Sequence, residues 1–140
     1  MRIVVHGIPA PQGSKRHVGN GVMIESSAKV KPWREAVKWA TIEAACEPFH
    51  DGPVRVLLEF FLPRPKGHYG TGRNACEVKG SAPTRPHRKP DLDKLIRSTL
   101  DALGEAGAWR DDSQVCYVEA AKWYADERVP GAVIEIRETS

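Results

Sequence analysis

The stretch VRVLLEFFL, residues 54–62, decides the fold of this 140-residue chain. It is rich in valine, leucine and phenylalanine, and apolar side chains occupy both of its alternating faces. A strand that is apolar on both faces is typical of the interior of a sheet, where other elements cover each face. The stretch therefore predicts a central strand around which the remaining elements are arranged.

Periodicity on either side of this strand predicts the other elements. Alternating β-branched and aromatic residues indicate four more strands, at 2–8, 22–25, 114–124 and 131–137. The strand at 22–25 is expected to form a hairpin with the first one. Apolar residues recur every three or four positions at 31–46 and 91–104, which predicts two amphipathic helices. This order predicts an α/β or α+β fold with a mixed sheet, in one domain spanning residues 1–140.

Composition narrows the class of protein. Hydrophobic residues make up 41% and charged residues 28%, as is ordinary for a soluble globular domain. No apolar run approaches the roughly 20 residues that cross a bilayer, and the N-terminus has no signal-peptide pattern. We therefore expect a cytoplasmic protein without a membrane partner. The three cysteines (Cys46, Cys76 and Cys116) form no zinc pattern and are expected to be reduced thiols.

The net charge of +3 conceals two strongly basic segments. Residues 1–38 carry seven Lys/Arg against two Glu, and residues 64–90 carry seven against one. The second segment is also rich in proline and glycine and has no hydrophobic period, which predicts a long flexible loop. Basic charge on loops suits contact with a phosphate backbone, but a solvated surface with uneven charge is the alternative. Charge alone does not decide between them.

Two pairs of acids lie where predicted elements begin. Asp91 and Asp93 open the second helix, and Asp111 and Asp112 precede the strand at 114–124. Carboxylates from a helix start and a strand start suit Mg²⁺, which prefers oxygen ligands, and a bound metal can activate water for phosphodiester hydrolysis. Two cations are candidates for stabilising charge on the phosphate: Arg97 and Lys122.

The same acids have ordinary structural explanations. Asp91 suits a helix N-cap, Asp93 in the first turn suits the helix dipole, and Asp111-Asp112-Ser113 is typical of a turn. Taken alone, the spacing favours these structural roles over metal binding. A phosphate loop at residues 7–15 is excluded, because it lacks the GK[ST] ending and has prolines where N–H donors are required. No nucleotide cofactor is expected.

Taken together, the motifs resemble the signature of RusA-type Holliday junction resolvases, which are crossover junction endodeoxyribonucleases. They follow in order as KPDLDKL at 89–95, LDAL at 100–103, WRDDSQV at 109–115, and Lys122. The first strand followed by PAPQGSKR at 9–16 is similar to phage-type members. The match covers most of the chain in sequence order, so the motifs are specific as a set.

This resemblance implies an α/β homodimer that binds branched DNA at four-way junctions. It would make paired, symmetrical nicks with Mg²⁺ or Mn²⁺, in the cytoplasm of a bacterium or of a phage-infected host. By matching position, Asp91, Asp93 and Asp112 are the catalytic, metal-binding aspartates, and Asp111 is a neighbouring acid with a lesser role.

Two positions depart from the family pattern. Arg97 replaces the helix lysine, and arginine keeps the charge but is not interchangeable with lysine. Lys94 replaces an asparagine and adds a positive charge near the expected metal site. These departures keep open a branched-DNA-binding protein without activity, as well as a related nuclease acting on flaps or forks. In each case ten basic residues are expected to contact DNA: Lys15, Arg16, Arg64, Lys66, Arg73, Lys79, Arg85, Arg88, Lys89 and Lys94.

Overall fold

A computed structural model describes residues 1–13, 15–17, 23–25, 28–44 and 51–139. It confirms the predicted mixed α+β architecture. The elements in chain order are β1 (Arg2–His6), β2 (Lys15–His17), β3 (Met23–Glu25), α1 (Val30–Ala44), β4 (Val54–Leu62), α2 (Leu92–Glu105), β5 (Val115–Tyr124) and β6 (Gly131–Glu138). Neither helix in this part of the chain is long and apolar enough to span a membrane.

Strand β4 lies inside the main sheet, as its two apolar faces predict. The strand order is β1-β6-β4-β5, so β4 has a hydrogen-bonded neighbour on each side. It runs parallel to β5 and antiparallel to β6, which makes the sheet mixed. Four alternate residues of β4 point into the main core and are at most 1% exposed: Val54, Val56, Leu58 and Phe60.

The hairpin predicted between the first strand and residues 22–25 is wrong. Strand β1 pairs instead with β6, and β3 pairs with β2 in a separate two-stranded sheet. A Cβ atom on Gly131 would collide with the carbonyl oxygen of Val5, so glycine permits this close approach of β6 to β1. Short β-like stretches in the sequence do not specify their partners, which are chosen by packing between distant segments.

The two helices cover one face of the sheet. Trp33 and Val37 of α1 and Leu95 and Leu103 of α2 are at most 1% exposed, and they pack in the same core as the inward residues of β4. One polar contact lies within this apolar layer: the Trp33 indole Nε1–H donates to Thr99 Oγ1 at 3.1 Å. Both side chains are buried, so the hydrogen bond satisfies groups that water cannot reach.

The basic segment at 64–90 contains local structure that the sequence pattern did not indicate. It contains two 3₁₀ turns, Lys66–His68 and Gly72–Asn74, and an isolated bridge between Tyr69 and Val78 encloses the second turn. Arg64 holds its beginning in place. The Arg64 guanidinium donates to Asp126 Oδ1 at 2.6 Å and to the Pro83 carbonyl at 2.7 Å, and it stacks over the Tyr124 ring. The flexibility of this loop stays a prediction.

The sequence predicts reduced thiols at three cysteines, and two of them lie among the described residues. Cys76 and Cys116 are exposed and form no disulfide, which agrees with reduced thiols. Cys46 lies outside the described residues.

The buried Trp33–Thr99 contact generates a stability prediction. Thr99→Val keeps the shape of the side chain but leaves the Trp33 indole N–H without an acceptor, so we expect the free energy of unfolding to fall by about 1–3 kcal/mol. In a Trp33→Phe background the orphaned donor is absent, and the same substitution should cost clearly less. Urea unfolding of the four proteins measures this difference, and an equal cost in both backgrounds would contradict it.

Candidate active site

Helix α2 begins with an exposed acidic pair. Asp91 occupies the N-cap position in an extended conformation, but its side chain forms no capping hydrogen bond. Asp93 lies in the first turn and is exposed. The structural explanation of Asp91 as a side-chain cap therefore does not apply, and its carboxylate is available for other ligands.

Three cations lie near this pair. Lys94 Nζ is 3.6 Å from Asp91 Oδ2. Arg97 is exposed and lies one helical turn beyond Asp93, on the same side of α2. Lys122 Nζ donates to two carbonyl oxygens of the residues just before the helix, those of Arg88 and Pro90, at 3.0 Å each. We call these five charged residues the amino-terminal cluster: Asp91, Asp93, Lys94, Arg97 and Lys122.

The sheet explains how Lys122 reaches this cluster. Strand β5 begins beside the far end of α2 and runs parallel to β4, so its last residues lie near the start of the helix. Lys122 stands opposite Phe60 in this register, well along both strands. A lysine that is 29 positions from Asp93 in the sequence is thereby brought to the same end of the helix.

The second acidic pair lies at the other end of α2. Asp111 caps a short 3₁₀ turn, Asp112–Gln114: its Oδ1 accepts from the Ser113 N–H at 2.8 Å, and Gln114 Oε1 accepts from the Asp111 N–H. These hydrogen bonds from Ser113, above all the one from its backbone N–H, lower the pKa of Asp111. The turn interpretation is therefore correct for Asp111, whose oxygen serves the local backbone.

Asp112 has a different environment. Its Oδ1 accepts a hydrogen bond from the indole Nε1–H of Trp109 at 2.9 Å, and Trp109 itself is only 2% exposed. Both groups pack against Gly104 in the last turn of α2, where an added Cβ would lie 2.7 Å from Asp112 Oδ1. The carboxylate thus lies against the end of the helix in a shallow cleft, which we call the carboxy-terminal cleft: Asp101, Gly104, Glu105, Arg110, Asp111 and Asp112.

The fold does not bring all three predicted metal ligands together within one chain. Asp91 begins α2 and Asp112 contacts Gly104, so the rise of the helix separates them by roughly 20 Å. Among residues 1–13, 15–17, 23–25, 28–44 and 51–139, no three His, Cys, Asp or Glu side chains form a group that could hold a metal ion. The aspartates and the metal assigned to them stay predictions.

Most of the predicted DNA-contacting residues are free to reach a ligand. Six basic residues of the 64–90 segment are exposed: Lys66, Arg73, Lys79, Arg85, Arg88 and Lys89. Arg64 differs, because its side chain is 6% exposed and its guanidinium is already occupied inside the protein. Lys15 and Arg16 belong to β2, but their side chains lie outside the described residues.

The chain after β1 is held close to α2. The Ser98 hydroxyl donates to the Ala10 carbonyl at 2.7 Å, and the Gln12 N–H donates to the Lys94 carbonyl at 3.1 Å. An open cavity of about 780 Å³ lies beside this contact. Prolines, Leu62 and Tyr124 contribute to its apolar wall, and its charged lining consists of four basic residues and one acid: Lys29, Arg88, Lys89, Lys94 and Asp91.

Sequence reasoning missed two residues of the site. Trp109, which lies in the main core, donates to the Asp112 carboxylate, and Gly104, in the last turn of α2, lies against it. The spacing Trp109-x-x-Asp112 is compatible with such a contact, but it does not reveal which oxygen the indole reaches.

Glu105, another carboxylate of the carboxy-terminal cleft, has two cationic partners. It pairs with Arg34, and its Oε2 is 2.5 Å from Lys38 Nζ, so it links α2 to α1. The hydrogen bond from Lys38, with the positive charges of Arg34 and Lys38, lowers the pKa of Glu105. This carboxylate is therefore committed to joining the helices rather than to binding a metal.

Comparisons with known proteins agree with the motifs. The model of the family described as Endodeoxyribonuclease RusA matches residues 6–137, which is nearly the whole chain. The chain is also similar to the uncharacterized protein YqaN of Bacillus subtilis (strain 168). The two are 30% identical over 142 residues, an alignment that covers 100% of this chain and 97% of the relative.

The paired Glu105 predicts a pH-dependent stability difference. Its pKa is lowered on folding, so its contribution is present at neutral pH and is lost as the pH falls through the lowered value. Because Glu105 is 45% exposed, we expect Glu105→Gln to cost only about 0.2–1 kcal/mol at pH 7. Urea unfolding at pH 7 and at pH 2.5 measures this. A cost that persists unchanged in acid would contradict the ion-pair explanation.

Proposed function

The chain belongs to the RusA endodeoxyribonuclease family, and we propose that it resolves four-way DNA junctions as a metal-dependent homodimer. The observation that carries this proposal is the amino-terminal cluster. A helix begins there with a carboxylate that caps nothing, a second exposed carboxylate follows, and a strand lysine lies beside them. The family model matches residues 6–137, a range that includes all of these residues.

The chemistry of the donor set fits Mg²⁺ or Mn²⁺. Asp91 and Asp93 present exposed carboxylate oxygens, and Asp112 has one oxygen bonded to Trp109, with no second partner among the described residues. Hard divalent cations prefer such oxygens. Once bound, the metal would supply Lewis-acid activation of water and of the phosphate. Arg97 and Lys122 would stabilise negative charge that develops on the phosphate.

The separation of the acids requires two copies of the chain in this proposal. Metal–oxygen distances are about 2.0–2.1 Å for Mg²⁺, so ligands at opposite ends of a helix roughly 20 Å apart cannot share one ion. A two-fold dimer solves this if Asp112 of one protomer approaches Asp91 and Asp93 of its partner. Two-fold symmetry repeats each contact, so the dimer would contain two equivalent sites.

Two such sites match the expected reaction. A four-way junction offers two strands of equal geometry, and two symmetric sites can nick both. Exposed apolar side chains on β5 and α1 support a second copy, since they would gain by being covered: Tyr117, Val118, Trp39 and Ile42. Each of the four is at least 38% exposed in the single chain.

The surroundings of Asp91 suit a DNA backbone. The 64–90 segment, with its exposed lysine and arginine side chains, immediately precedes Asp91 in the sequence. Arg88, Lys89 and Lys94 line the adjoining cavity. Each phosphate contact releases counterions, so binding should weaken steeply as salt is raised. The prolines and Tyr124 of the cavity wall offer apolar surface to an unstacked base.

One observation favours a second candidate, a branched-DNA-binding protein without activity. Lys94 replaces the family's asparagine, and its ammonium is 3.6 Å from Asp91 Oδ2, where it competes with a metal cation. If this competition prevails, the protein would bind junctions but not cut them. Lys94→Asn removes the competing charge and tests this directly.

Cleavage of a synthetic immobile junction tests the function. With Mg²⁺ or Mn²⁺ we expect paired nicks on the junction and none on a linear duplex, and EDTA should abolish them. Asp91→Asn should slow the reaction at least about 100-fold, because metal-ligand contacts supply several kcal/mol and each 1.4 kcal/mol is tenfold. Flap and fork substrates of the same sequence are tested in parallel. Faster cleavage of one of these would show a preference for a branched substrate other than the four-way junction. Tight junction binding without cleavage, including by Lys94→Asn, would sink the nuclease proposal.

Mixed dimers test the shared site. One variant carries Asp91→Asn and Asp93→Asn, the other carries Asp112→Asn, and each should be inactive alone. In a mixed dimer, one site would combine intact Asp91 and Asp93 from one protomer with intact Asp112 from the other. We therefore expect activity to return as single nicks without paired cleavage, measured on a junction in a supercoiled plasmid.

The control mixes each inactive variant with itself after the same unfolding and refolding step. If the three aspartates acted within one chain, every site in the mixture would lack a ligand and no activity would return. That outcome, with exchange of protomers verified by differently tagged chains, would refute the shared site while leaving the nuclease proposal intact.

A further inference from the structure

We propose that Trp109 is the positioning residue for Asp112, and that Gly104 provides the space in which this contact forms. The inference rests on the proposed function, because it concerns the metal-binding capacity of Asp112. It goes beyond the motif, in which the aspartates alone carry the chemistry.

The geometry of Trp109 is that of a fixed donor. Its ring lies in the main core at 2% exposure, and its one polar atom, Nε1, donates to Asp112 Oδ1 at 2.9 Å. A buried indole cannot change rotamer without vacating its place in the core. The carboxylate of an otherwise exposed aspartate is thus held at one oxygen by a rigid side chain.

Gly104 sets where this carboxylate can lie. A Cβ atom there would be 2.7 Å from Asp112 Oδ1 and 3.1 Å from Trp109 Nε1. Glycine is unfavourable near the end of a helix interior by up to about 1 kcal/mol relative to alanine. Glycine, although unfavourable in a helix, thus occurs at the position where a larger side chain would collide with Asp112 and Trp109.

Holding one oxygen determines what the other can do. With Oδ1 bonded to the indole, rotation of the carboxylate is restricted, and Oδ2 is the oxygen without a partner among the described residues. Hydrogen bonds that orient a metal ligand typically change metal affinity by roughly 10–100-fold. Trp109 therefore acts through Asp112 and need not touch DNA.

A matched pair of tryptophan variants isolates this role. Trp109→Phe and Trp33→Phe each remove a buried indole and its hydrogen bond, but the Trp33 indole donates to Thr99 and not to an acid of the site. Both should lower stability to a similar extent. Only Trp109→Phe should weaken Mn²⁺ binding, by roughly 10-fold, measured by electron paramagnetic resonance of free Mn²⁺ with wild type and Asp112→Asn beside it.

A second variant covers the case in which Trp109→Phe does not fold. In Gly104→Ala the closest atom is the end of the exposed Asp112 side chain, and the Trp109 indole need shift by only a few tenths of an ångström, so the protein should fold while the carboxylate is displaced. Gly80→Ala is the control, because an added Cβ there meets nothing within 4 Å. We expect Gly104→Ala to bind Mn²⁺ more weakly despite its better helix propensity, and Gly80→Ala to equal wild type.

The outcomes separate the two proposals. Asp112-dependent Mn²⁺ binding that is weakened in Trp109→Phe and Gly104→Ala, but not in their controls, supports the positioning role. Wild-type affinity in both variants overturns it and leaves the nuclease proposal standing. If the wild-type protein binds no Mn²⁺ and cuts no junction, both proposals fail together.

Discussion

The burial of helix α2 is the constraint on which the site depends. Leu95, Ala102 and Leu103 are fully buried against the sheet, and the Trp33–Thr99 hydrogen bond fixes the helix to α1. A helix held in this way is a rigid spacer of set length. One acidic pair lies at each end of α2. The distance between the two pairs is therefore set by the length of this packed helix and not by interactions of the acids.

The two ends of α2 have different electrostatic character. At the start, Asp91 and Asp93 lie among lysine and arginine side chains and beside an exposed basic loop. At the end, Asp111 and Glu105 are already paired, with lowered pKa values, so they serve the fold. Asp112 differs from Glu105, whose partners are cations, because its carboxylate accepts from the neutral indole N–H of Trp109.

This arrangement connects stability to the proposed chemistry. Trp109, a residue of the main core, donates to Asp112, and Gly104 leaves the space for this contact. Lys122 similarly joins the sheet to the chain entering α2 through two carbonyl oxygens. A nuclease built in this way would hold Asp93 and Arg97 on the buried helix and Lys122 on the sheet.

The sequence by itself determined the central strand, both helices and the family, because periodicity and ordered motifs are local properties. It also singled out Lys122 and the aspartates as residue types that suit a phosphate and a metal ion. It could not specify that β1 pairs with β6, since strand partners are chosen by packing between distant segments. Nor could it reveal that Asp112 lies at the opposite end of α2 from Asp91, or that Trp109 holds its oxygen. Those facts depend on how a rigid helix of fixed rise lies across the sheet, and only the tertiary structure decides that.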